Sequence, residues 1–255
     1  MPWNPETYNQ FKNIRFKPFF DLVDLVSPEH IIDGVDIGCG TGEQTFLLSQ
    51  KFKNSHLLGI DSSEEMLMDS KKYKNENVAF SLTTIKEFAE SNSTWDLIFS
   101  NAALQWEENH EALFPKLISK LNPGGQFAVQ MPLQKENVLN ILLLQLAKEK
   151  PFEAALHGFT RESPVLTLDE YAKIMYENRL VDLHLFIKVY PIIAESETEL
   201  YNFIAGSALI PYMDRLSLSD QANFKEVFIE RIREYFKSFP AIYSFKRILL
   251  YGVKR

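Results

Sequence analysis

The sequence is poor in cysteine, with Cys39 as the only one among 255 residues. A single thiol excludes an intrachain disulfide and any zinc site built from several cysteines, and it fits the reducing cytosol. Cys39 could act as a nucleophile, but no histidine stands near it in the sequence to lower its pKa. We therefore interpret Cys39 as a small residue of a turn, and we predict no metal site.

Long apolar runs and an excess of basic charge are also lacking. The longest apolar stretch, residues 140–147, includes Gln145 and is much shorter than the roughly 20 residues that span a bilayer. The first residues lack the basic start and the apolar centre of a signal peptide. A formal net charge of −7 argues against a nucleic-acid partner, which would require surplus lysine and arginine. We expect a soluble, cytoplasmic protein with neither a membrane nor a nucleic-acid partner.

What the sequence does have is a regular alternation of short apolar runs with helical periodicity. Parallel strands need long crossover connections, so this alternation predicts an α/β fold with a Rossmann-like, doubly wound and mostly parallel sheet. The predicted strands of the first half are residues 31–37, 56–60, 78–82, 95–100 and 126–131. The predicted helices are residues 11–26, 41–52, 62–73 and 110–121. Ser62, with Glu65 three residues later, has the spacing of a capping box at the start of the third helix.

The last third departs from this alternation. Residues 183–190 and 248–253 have strand patterns, but a long segment with a helical pattern separates them. Such an insertion predicts helices at 197–208 and 219–236, broken around Pro211, that fold over the ligand edge of the sheet as a lid. The predicted domains are a core with an N-terminal helix (1–190), a helical substrate lid (191–245) and a final core strand (246–255).

A glycine-rich turn follows the first predicted strand. Asp36 precedes residues 38–42, which have a glycine at every second position, as a turn with positive φ and a closely approaching ligand requires. A dinucleotide-binding turn needs its third glycine at position 43, where this chain has Glu43. Asp61 ends the next strand, where a carboxylate can accept hydrogen bonds from both hydroxyls of a ribose. The pattern favours a nucleoside ligand without phosphate.

Several further segments resemble one enzyme family. The matches include Trp3-Asn4-Pro5, residues 36–42 and 59–63, Gln105-Trp106 and residues 128–132. On these residues the chain resembles the trans-aconitate methyltransferase family, class I methyltransferases that depend on S-adenosyl-L-methionine. The resemblance implies carboxyl methylation: a methyl group passes to the carboxylate of a small acid and leaves S-adenosyl-L-homocysteine as the second product.

The resemblance and the strand ends together define a candidate site. The expected cofactor contacts lie in the N-terminal helix, in the glycine turn and after strands two to four: Tyr8, Arg15, Asp36, Gly38, Cys39, Gly40, Gly42, Asp61, Ser62, Met66, Thr84, Ile85, Asn101 and Ala102. The expected acceptor contacts are Gln105, Trp106, Tyr212 and Arg215. Thr84 stands where the family commonly has an acidic residue for the adenine, and it is a weaker acceptor. Because an acid substrate is ionised at neutral pH, we predict catalysis by positioning, without a catalytic proton-transfer residue.

Two alternatives remain open at this point. The acceptor could be malonyl acyl carrier protein, an amine or a phenol. A carrier-protein partner would need a basic docking patch, for which Lys225, Arg231, Arg233 and Lys237 are candidates, although glutamates alternate with them. The chain could also be a non-catalytic interaction module, because a fold does not fix a function.

Overall fold

The computed structural model describes residues 12–255 and, of their side chains, those from Phe16 onward. The predicted cofactor contact Tyr8 lies outside the described residues. Arg15 belongs to the first described helix, but its side chain is outside the described part. Both assignments remain predictions.

The first half of the chain alternates strands with helices. The strands are β1 (Asp33–Ile37), β2 (His56–Asp61), β3 (Val78–Leu82), β4 (Trp95–Asn101) and β5 (Leu121–Pro132). The helices are α1 (Lys12–Val23), α2 (Glu43–Lys51), α3 (Glu64–Ser70), α4 (Ile85–Glu90) and α5 (His110–Ser119). All five strands and four of the five helices are the predicted ones, with ends displaced by a few residues, whereas α4 was not predicted.

The second half holds more helix than its pattern indicated. Its elements are α6 (Val138–Ala147), α7 (Phe152–Ala155), α8 (Leu168–Glu177), β6 (Leu180–Ala194), α9 (Glu197–Ala205), α10 (Ile210–Met213), α11 (Leu218–Phe236) and β7 (Ala241–Lys254). The sequence pattern did not predict α6, α7, α8 or α10. The almost uniformly apolar sequence of α6 hides a helical period, because nearly every position is hydrophobic.

The strands of the described residues form one seven-stranded sheet in the order β3, β2, β1, β4, β5, β7, β6. Parallel pairing joins β3 to β2, β2 to β1, β1 to β4 and β4 to β5, whereas β5 and β7 are antiparallel. The predicted Rossmann-like, mostly parallel sheet is confirmed. The strand order reverses between β1 and β4, and open α/β sheets bind their ligands at such a reversal.

Helices α1 and α2 pack on one face of this sheet. Phe19 of α1 and Leu48 of α2 share a buried apolar cluster with Phe99 of β4, Ala128 of β5 and Leu249 of β7. The Phe19 and Phe99 rings meet edge to face with centroids 5.7 Å apart. Phe99, Ala128 and Leu249 form an apolar row across three neighbouring strands.

One predicted helix start is wrong. The N-cap of α3 is Ser63, whose hydroxyl accepts the Met66 N–H at 3.2 Å, and the predicted capping box of Ser62 with Glu65 does not form. The cause is Asp61, whose carboxylate accepts the Ser63 N–H at 2.8 Å and thereby holds the turn before the helix. The helix therefore begins one residue later than the spacing predicts.

The last two strands are longer than predicted, and Pro211 has another role. β6 extends the predicted 183–190 to Leu180–Ala194, and β7 extends 248–253 to Ala241–Lys254. Pro211 stands in the first turn of α10, where a missing N–H costs nothing, and the break between α9 and α10 comes before it.

Contacts divide the chain into two compact units. One unit includes Leu133–Ser163 and Val189–Lys246, and the other includes Lys17–Pro132, Pro164–Lys188 and Arg247–Arg255. The first unit has its own apolar core, to which Leu143 of α6, Phe203 of α9 and Phe228 of α11 contribute. The second unit holds the core on the sheet. The predicted lid and its boundaries remain predictions.

None of the helices between residues 12 and 255 combines the length and the hydropathy that crossing a bilayer requires. The same residues include no group of three histidine, cysteine, aspartate or glutamate side chains placed to hold a metal ion.

Candidate active site

The turn between β1 and α2 is built on positive backbone angles. Gly38, Gly40 and Gly42 have φ of 75°, 54° and 75°, as the glycine spacing predicts. The Gly38 and Cys39 N–H groups donate to the Ile60 carbonyl at 2.8 and 3.0 Å. The turn is therefore attached to the end of β2.

The three glycines differ in their surroundings. A Cβ on Gly38 would lie 2.1 Å from Ala103 Cβ, and one on Gly42 would lie 2.6 Å from the Phe80 ring, so both glycines permit close packing. A Cβ on Gly40 would meet no atom of the described residues within 4 Å. Gly40 is thus the position of the turn whose backbone a ligand can approach.

Asp61 links this turn to the start of α3. Its Oδ2 accepts the Gly40 N–H at 2.8 Å, and its Oδ1 accepts the Ser63 N–H at the same distance. A carboxylate has about four lone-pair sites, so each oxygen can accept one more hydrogen bond. Asp61 can therefore bind a pair of neighbouring hydroxyl groups while holding the turn. The neighbouring Ser62 is exposed, and Met66 is half-buried.

Asp36 lies inside the protein, with 3% of its surface exposed. The Thr45 hydroxyl on α2 donates to its Oδ2 at 2.6 Å. Burial raises the pKa of Asp36 to about 7, although the Thr45 hydrogen bond lowers it, and the charge of Asp61 raises it further. The carboxyl group thus links β1 to α2 and titrates near neutrality.

The raised pKa of Asp36 makes stability fall as pH rises. Between pH 3.8, the ordinary pKa of an aspartate, and about pH 7, the folded chain keeps a proton that the unfolded chain has lost. The free energy of unfolding should therefore decrease across this interval and level off above it. Asp36→Asn should remove this dependence and stabilise the ligand-free protein at pH 8 by up to about 4 kcal/mol, relative to its effect at pH 4.

Denaturant unfolding at pH 4, 6 and 8 measures this difference. Thr45→Val is the matched control, because losing the hydroxyl raises the pKa of Asp36 further and should destabilise the protein most at pH 8. Equal pH profiles for the wild type and Asp36→Asn would contradict the assignment.

The chain is strained where it leaves β4. Ala102 has φ of 58°, which is unfavourable for a residue other than glycine, and its N–H donates to the Gln130 carbonyl at 2.9 Å. The Asn101 amide donates to Gln44 of α2 at 2.9 Å. Asn101 Oδ1 is buried and has no hydrogen-bond partner among the residues that the structure describes. Strain and an unsatisfied acceptor at the ligand edge are typical of a binding site.

The predicted acceptor contacts Gln105 and Trp106 follow in a short 3-10 helix, Leu104–Trp106. Gln105 is buried and donates through Nε2 to the Ala102 carbonyl at 2.6 Å, while its Oε1 finds no partner within the described part of the chain. Trp106 is 38% exposed. This partial exposure, just after a strand end, distinguishes Trp106 from a core tryptophan, which would be buried.

Thr84 is already occupied as the N-cap of α4. Its hydroxyl accepts the Glu87 N–H at 3.1 Å and donates to the Glu87 carboxylate at 2.8 Å, which completes a capping box. The Thr84 N–H and then its hydroxyl, both donating to the Glu87 carboxylate, hold the pKa of Glu87 below its usual value. The Thr84 side chain is therefore a poor acceptor for an adenine amino group, and the backbone beside the half-buried Ile85 is the better one.

The Cys39 thiol is unsuited to nucleophilic attack. It is 8% exposed, and burial, together with the negative charges of Asp36 and Asp61, raises its pKa. A thiol that stays protonated at neutral pH is inert. This supports the interpretation of Cys39 as a turn residue.

The predicted acceptor contacts Tyr212 and Arg215 lie in and after α10. Tyr212 is buried, and its hydroxyl accepts the Arg161 N–H at 3.0 Å. Arg215 is exposed, donates to the Pro211 carbonyl at 2.7 Å and places its guanidinium 3.8 Å from the centre of the Phe159 ring. Both side chains have structural contacts, and their role in binding an acceptor remains a prediction.

Two buried polar residues escaped the sequence analysis. Arg247 of β7 donates to Gln130 Oε1 of β5 at 2.7 Å, and both side chains are buried. Gln130 belonged to a matching stretch but carried no assigned role. Apolar and polar residues alternate in the segment before Arg247, and this pattern does not indicate that the arginine is buried.

The sequence is similar to known methyltransferases over its whole length. Residues 32–179 match a family model described as a methyltransferase domain. A trans-aconitate 2-methyltransferase of Deinococcus radiodurans is 38% identical, and the match covers 100% of this chain and 99% of that protein. Another trans-aconitate 2-methyltransferase, from Variovorax paradoxus, is 30% identical over 98% of this chain and 95% of its own length.

Solved structures agree on the fold. The YcgJ protein from Bacillus subtilis, 18% identical, superposes with a TM-score of 0.60 and covers 94% of this chain and 98% of its own. Phosphoethanolamine N-methyltransferase 2 of Haemonchus contortus, solved with S-adenosyl-L-methionine, is 15% identical and gives a TM-score of 0.57 over 94% of this chain and 52% of its own. At these identities the likeness concerns the fold alone.

A glycine turn and an adjacent strand-end aspartate, on a sheet of this order, define the class of Rossmann-like methyltransferases. The chain belongs to the methyltransferase domain family, in the group of the trans-aconitate 2-methyltransferases. The predicted family and enzyme class are confirmed.

Proposed function

We propose that this protein uses S-adenosyl-L-methionine to form the methyl ester of a small carboxylic acid of the trans-aconitate type. The observation that carries the proposal is the full-length similarity, at 38% identity, to a trans-aconitate 2-methyltransferase. The proposed cofactor contacts from Asp36 to Ala102 all lie within Lys17–Pro132 of the sheet unit. S-Adenosyl-L-methionine, when bound, supplies an electrophilic methyl group on a sulfonium.

The residues at the ligand edge fit this cofactor. Gly40 leaves its backbone open, Asp61 can accept two ribose hydroxyls, and Asn101 Oδ1 can accept an ammonium proton. The remaining contacts that we propose are Tyr8, Arg15, Asp36, Gly38, Cys39, Gly42, Ser62, Met66, Thr84, Ile85 and Ala102. Asp36 and Cys39 act through the turn they support, because both are buried.

The protein contributes position and charge. A carboxylate with a pKa near 4 is ionised at neutral pH, so it needs no general base to become a nucleophile. The chain must hold the acceptor oxygen in line with the methyl group and exclude water. We assign these tasks to Gln105 and Trp106 after β4 and to Tyr212 and Arg215 around α10.

Ion pairs on α11 argue against the carrier-protein alternative. Arg231 pairs with Glu149 at 2.5 Å, and Arg233 pairs with Glu197 at 2.6 Å. These carboxylates neutralise two of the four cations that would form a docking patch. We propose a small-molecule acceptor, no nucleic-acid or membrane partner, and a cytoplasmic location.

Methyl transfer assays test the proposal. Labelled S-adenosyl-L-methionine should methylate trans-aconitate in preference to other di- and tricarboxylic acids, to give a product that mild base hydrolyses as an ester. Malonyl acyl carrier protein, an amine and a phenol belong in the same panel. Exclusive labelling of the carrier protein, or a base-stable product, would refute the proposed acceptor. No methylation of any acceptor, despite binding of the cofactor, would favour a non-catalytic module.

A further inference from the structure

A buried histidine is attached to the segment that follows β4. His110, the first residue of α5, is 1% exposed, and its Nε2 lies 3.0 Å from the Leu104 carbonyl oxygen. A carbonyl group only accepts, so Nε2 carries a proton and donates it. The same carbonyl accepts the Glu107 N–H at 3.0 Å, which closes the 3-10 helix Leu104–Trp106. His110 therefore adds a second donor to the carbonyl on which this short helix depends.

Tyr171 of α8 holds the other nitrogen of the His110 ring. Its hydroxyl lies 2.5 Å from Nδ1 and accepts the Leu166 N–H at 3.3 Å. Burial raises the pKa of Tyr171, so the hydroxyl keeps its proton at neutral pH. Donation of that proton to Nδ1 gives the Leu166, Tyr171 and His110 protons one acceptor each. The ring is thus fixed in one tautomer, with its Nε2 proton directed at Leu104.

Aromatic rings surround this pair. The Phe114 ring has its centroid 5.1 Å from that of His110 and 4.8 Å from that of Tyr171, and it meets Phe127 of β5 edge to face at 5.7 Å. Phe114, Phe127 and Tyr171 are fully buried. Hydrogen bonds among buried apolar groups are costly to break, because the freed donor or acceptor stays unsatisfied. The pair of His110 and Tyr171 is therefore a rigid support for Leu104.

The supported segment includes a strained residue and a site residue. Ala102 has φ of 58°, and such a backbone persists only where surrounding contacts enforce it. The Gln130 carbonyl fixes the start of the segment by accepting the Ala102 N–H, and His110 fixes its middle at Leu104. Gln105 comes next, and its buried Oε1 has no hydrogen-bond partner in the part of the chain that the structure describes. The position of Gln105 thus depends on both attachments.

We propose that His110, held by Tyr171, is a positioning residue for methyl transfer. Its hydrogen bond to Leu104 fixes the segment so that Gln105 meets the methyl acceptor in the productive orientation. The inference rests on the proposed function, which assigns Gln105 and Trp106 to the acceptor. His110 contacts neither the acceptor nor the cofactor in this role, and it transfers no proton.

The cofactor side of the site has its own supports. The glycine turn donates to the Ile60 carbonyl, and Asp61 accepts the Ser63 N–H. These hydrogen bonds involve neither His110 nor Leu104. A looser segment 102–107 should therefore weaken the binding of the acceptor and preserve the affinity for the cofactor.

Tyr171→Phe tests the assignment with a small change, because it removes one hydroxyl and keeps the ring. We expect the KM for trans-aconitate to rise about tenfold, with the affinity for S-adenosylhomocysteine within about twofold of the wild type in calorimetry. In the ligand-free protein, amide hydrogen exchange of residues 102–107 should accelerate about tenfold. The exchange rate reports on the segment without turnover.

Tyr251→Phe is the matched control. The Tyr251 hydroxyl donates to Gln126 Oε1 at 2.7 Å, and both residues are buried. Gln126 pairs with Leu97 near the start of β4, whereas residues 102–107 follow the end of that strand. The control should lose comparable stability and keep the wild-type KM and the wild-type exchange rate of residues 102–107.

A double variant, His110→Leu with Tyr171→Phe, separates positioning from stability. Replacing both partners by apolar side chains leaves neither of them unsatisfied, so the double variant should be at least as stable as Tyr171→Phe. It still lacks the donor to Leu104, so the KM should stay raised and the exchange fast. His110→Gln keeps an amide donor and should restore part of the affinity for the acceptor.

Two results would refute the inference. One is a wild-type KM in the folded double variant, and the other is an equal change of KM and exchange rate in Tyr171→Phe and Tyr251→Phe. If the wild type methylates no acid, the proposed function itself fails. The exchange rates of residues 102–107 then decide by themselves whether His110 holds the segment.

Discussion

Asp61→Ala should weaken the binding of S-adenosylhomocysteine about a hundredfold. A carboxylate that accepts two hydroxyl groups contributes two charge-assisted hydrogen bonds, each worth about 1.5 kcal/mol or more. The variant also frees the N–H groups of Gly40 and Ser63 that Asp61 holds at 2.8 Å, so the turn loses its link to α3. Isothermal titration calorimetry gives the affinity directly.

Asp96 provides a matched control for Asp61. Its Oδ2 accepts the N–H groups of Ile32 and Asp33, both at 3.0 Å, and its Oδ1 accepts the Asn122 amide. Asp96 therefore also fixes backbone, but beside the start of β1, away from the glycine turn. Asp96→Ala should lower the melting temperature and leave the affinity for S-adenosylhomocysteine unchanged. Equal losses of affinity in both variants would mean that Asp61 acts through stability alone.

Gly40→Ala should reduce cofactor affinity by between about tenfold and a hundredfold while the protein remains folded. The new methyl group meets no atom of the described protein within 4 Å, so it enters the space that a ligand would use. The positive φ of 54° adds strain of about 1 kcal/mol. Calorimetry with S-adenosylhomocysteine and thermal unfolding separate the two effects.

Gly124→Ala is the control for this strain. Gly124 has φ of 79°, and a Cβ there also meets none of the described atoms within 4 Å, but the residue lies in β5 far along the chain from the turn. It should lose similar stability and no affinity. Gly38→Ala should behave differently again, because its Cβ would lie 2.1 Å from Ala103 and should destabilise the fold itself. Full cofactor affinity in Gly40→Ala would place the ligand elsewhere.

The sequence predicted the parallel part of the sheet well, because buried parallel strands have short, continuous apolar runs that end in turn residues. The sequence did not predict the element boundaries that depend on tertiary contacts. The hydrogen bonds of Asp61 place the N-cap of α3 at Ser63 and not at the predicted Ser62. Capping signals in the sequence do not indicate this shift. Strands β6 and β7 extend beyond their apolar centres into segments where buried and exposed residues alternate. Ile193 and Ile242, for example, are exposed, and the hydropathy pattern alone does not assign these segments to strands.

The candidate site also includes residues that the sequence predicts and residues that it does not. The glycine turn and Asp61 are local signals, since the required backbone angles and the strand end can be read from adjacent residues. Arg247 is not local: its contact with Gln130 joins residues 117 positions apart, and it depends on the register of β7 against β5. A single sequence does not indicate which of its many arginines a strand register will bury.

The buried Cys39 gives the molecule a built-in reporter. Thiol-modifying reagents can reach its sulfur only when the segment around it opens transiently, because the side chain is 8% exposed. A ligand that binds only while this segment is closed makes the opening rarer, in proportion to the fraction of protein that holds the ligand. The rate at which Cys39 is labelled should therefore fall as more of the cofactor site is occupied. No engineered probe is needed to measure this occupancy.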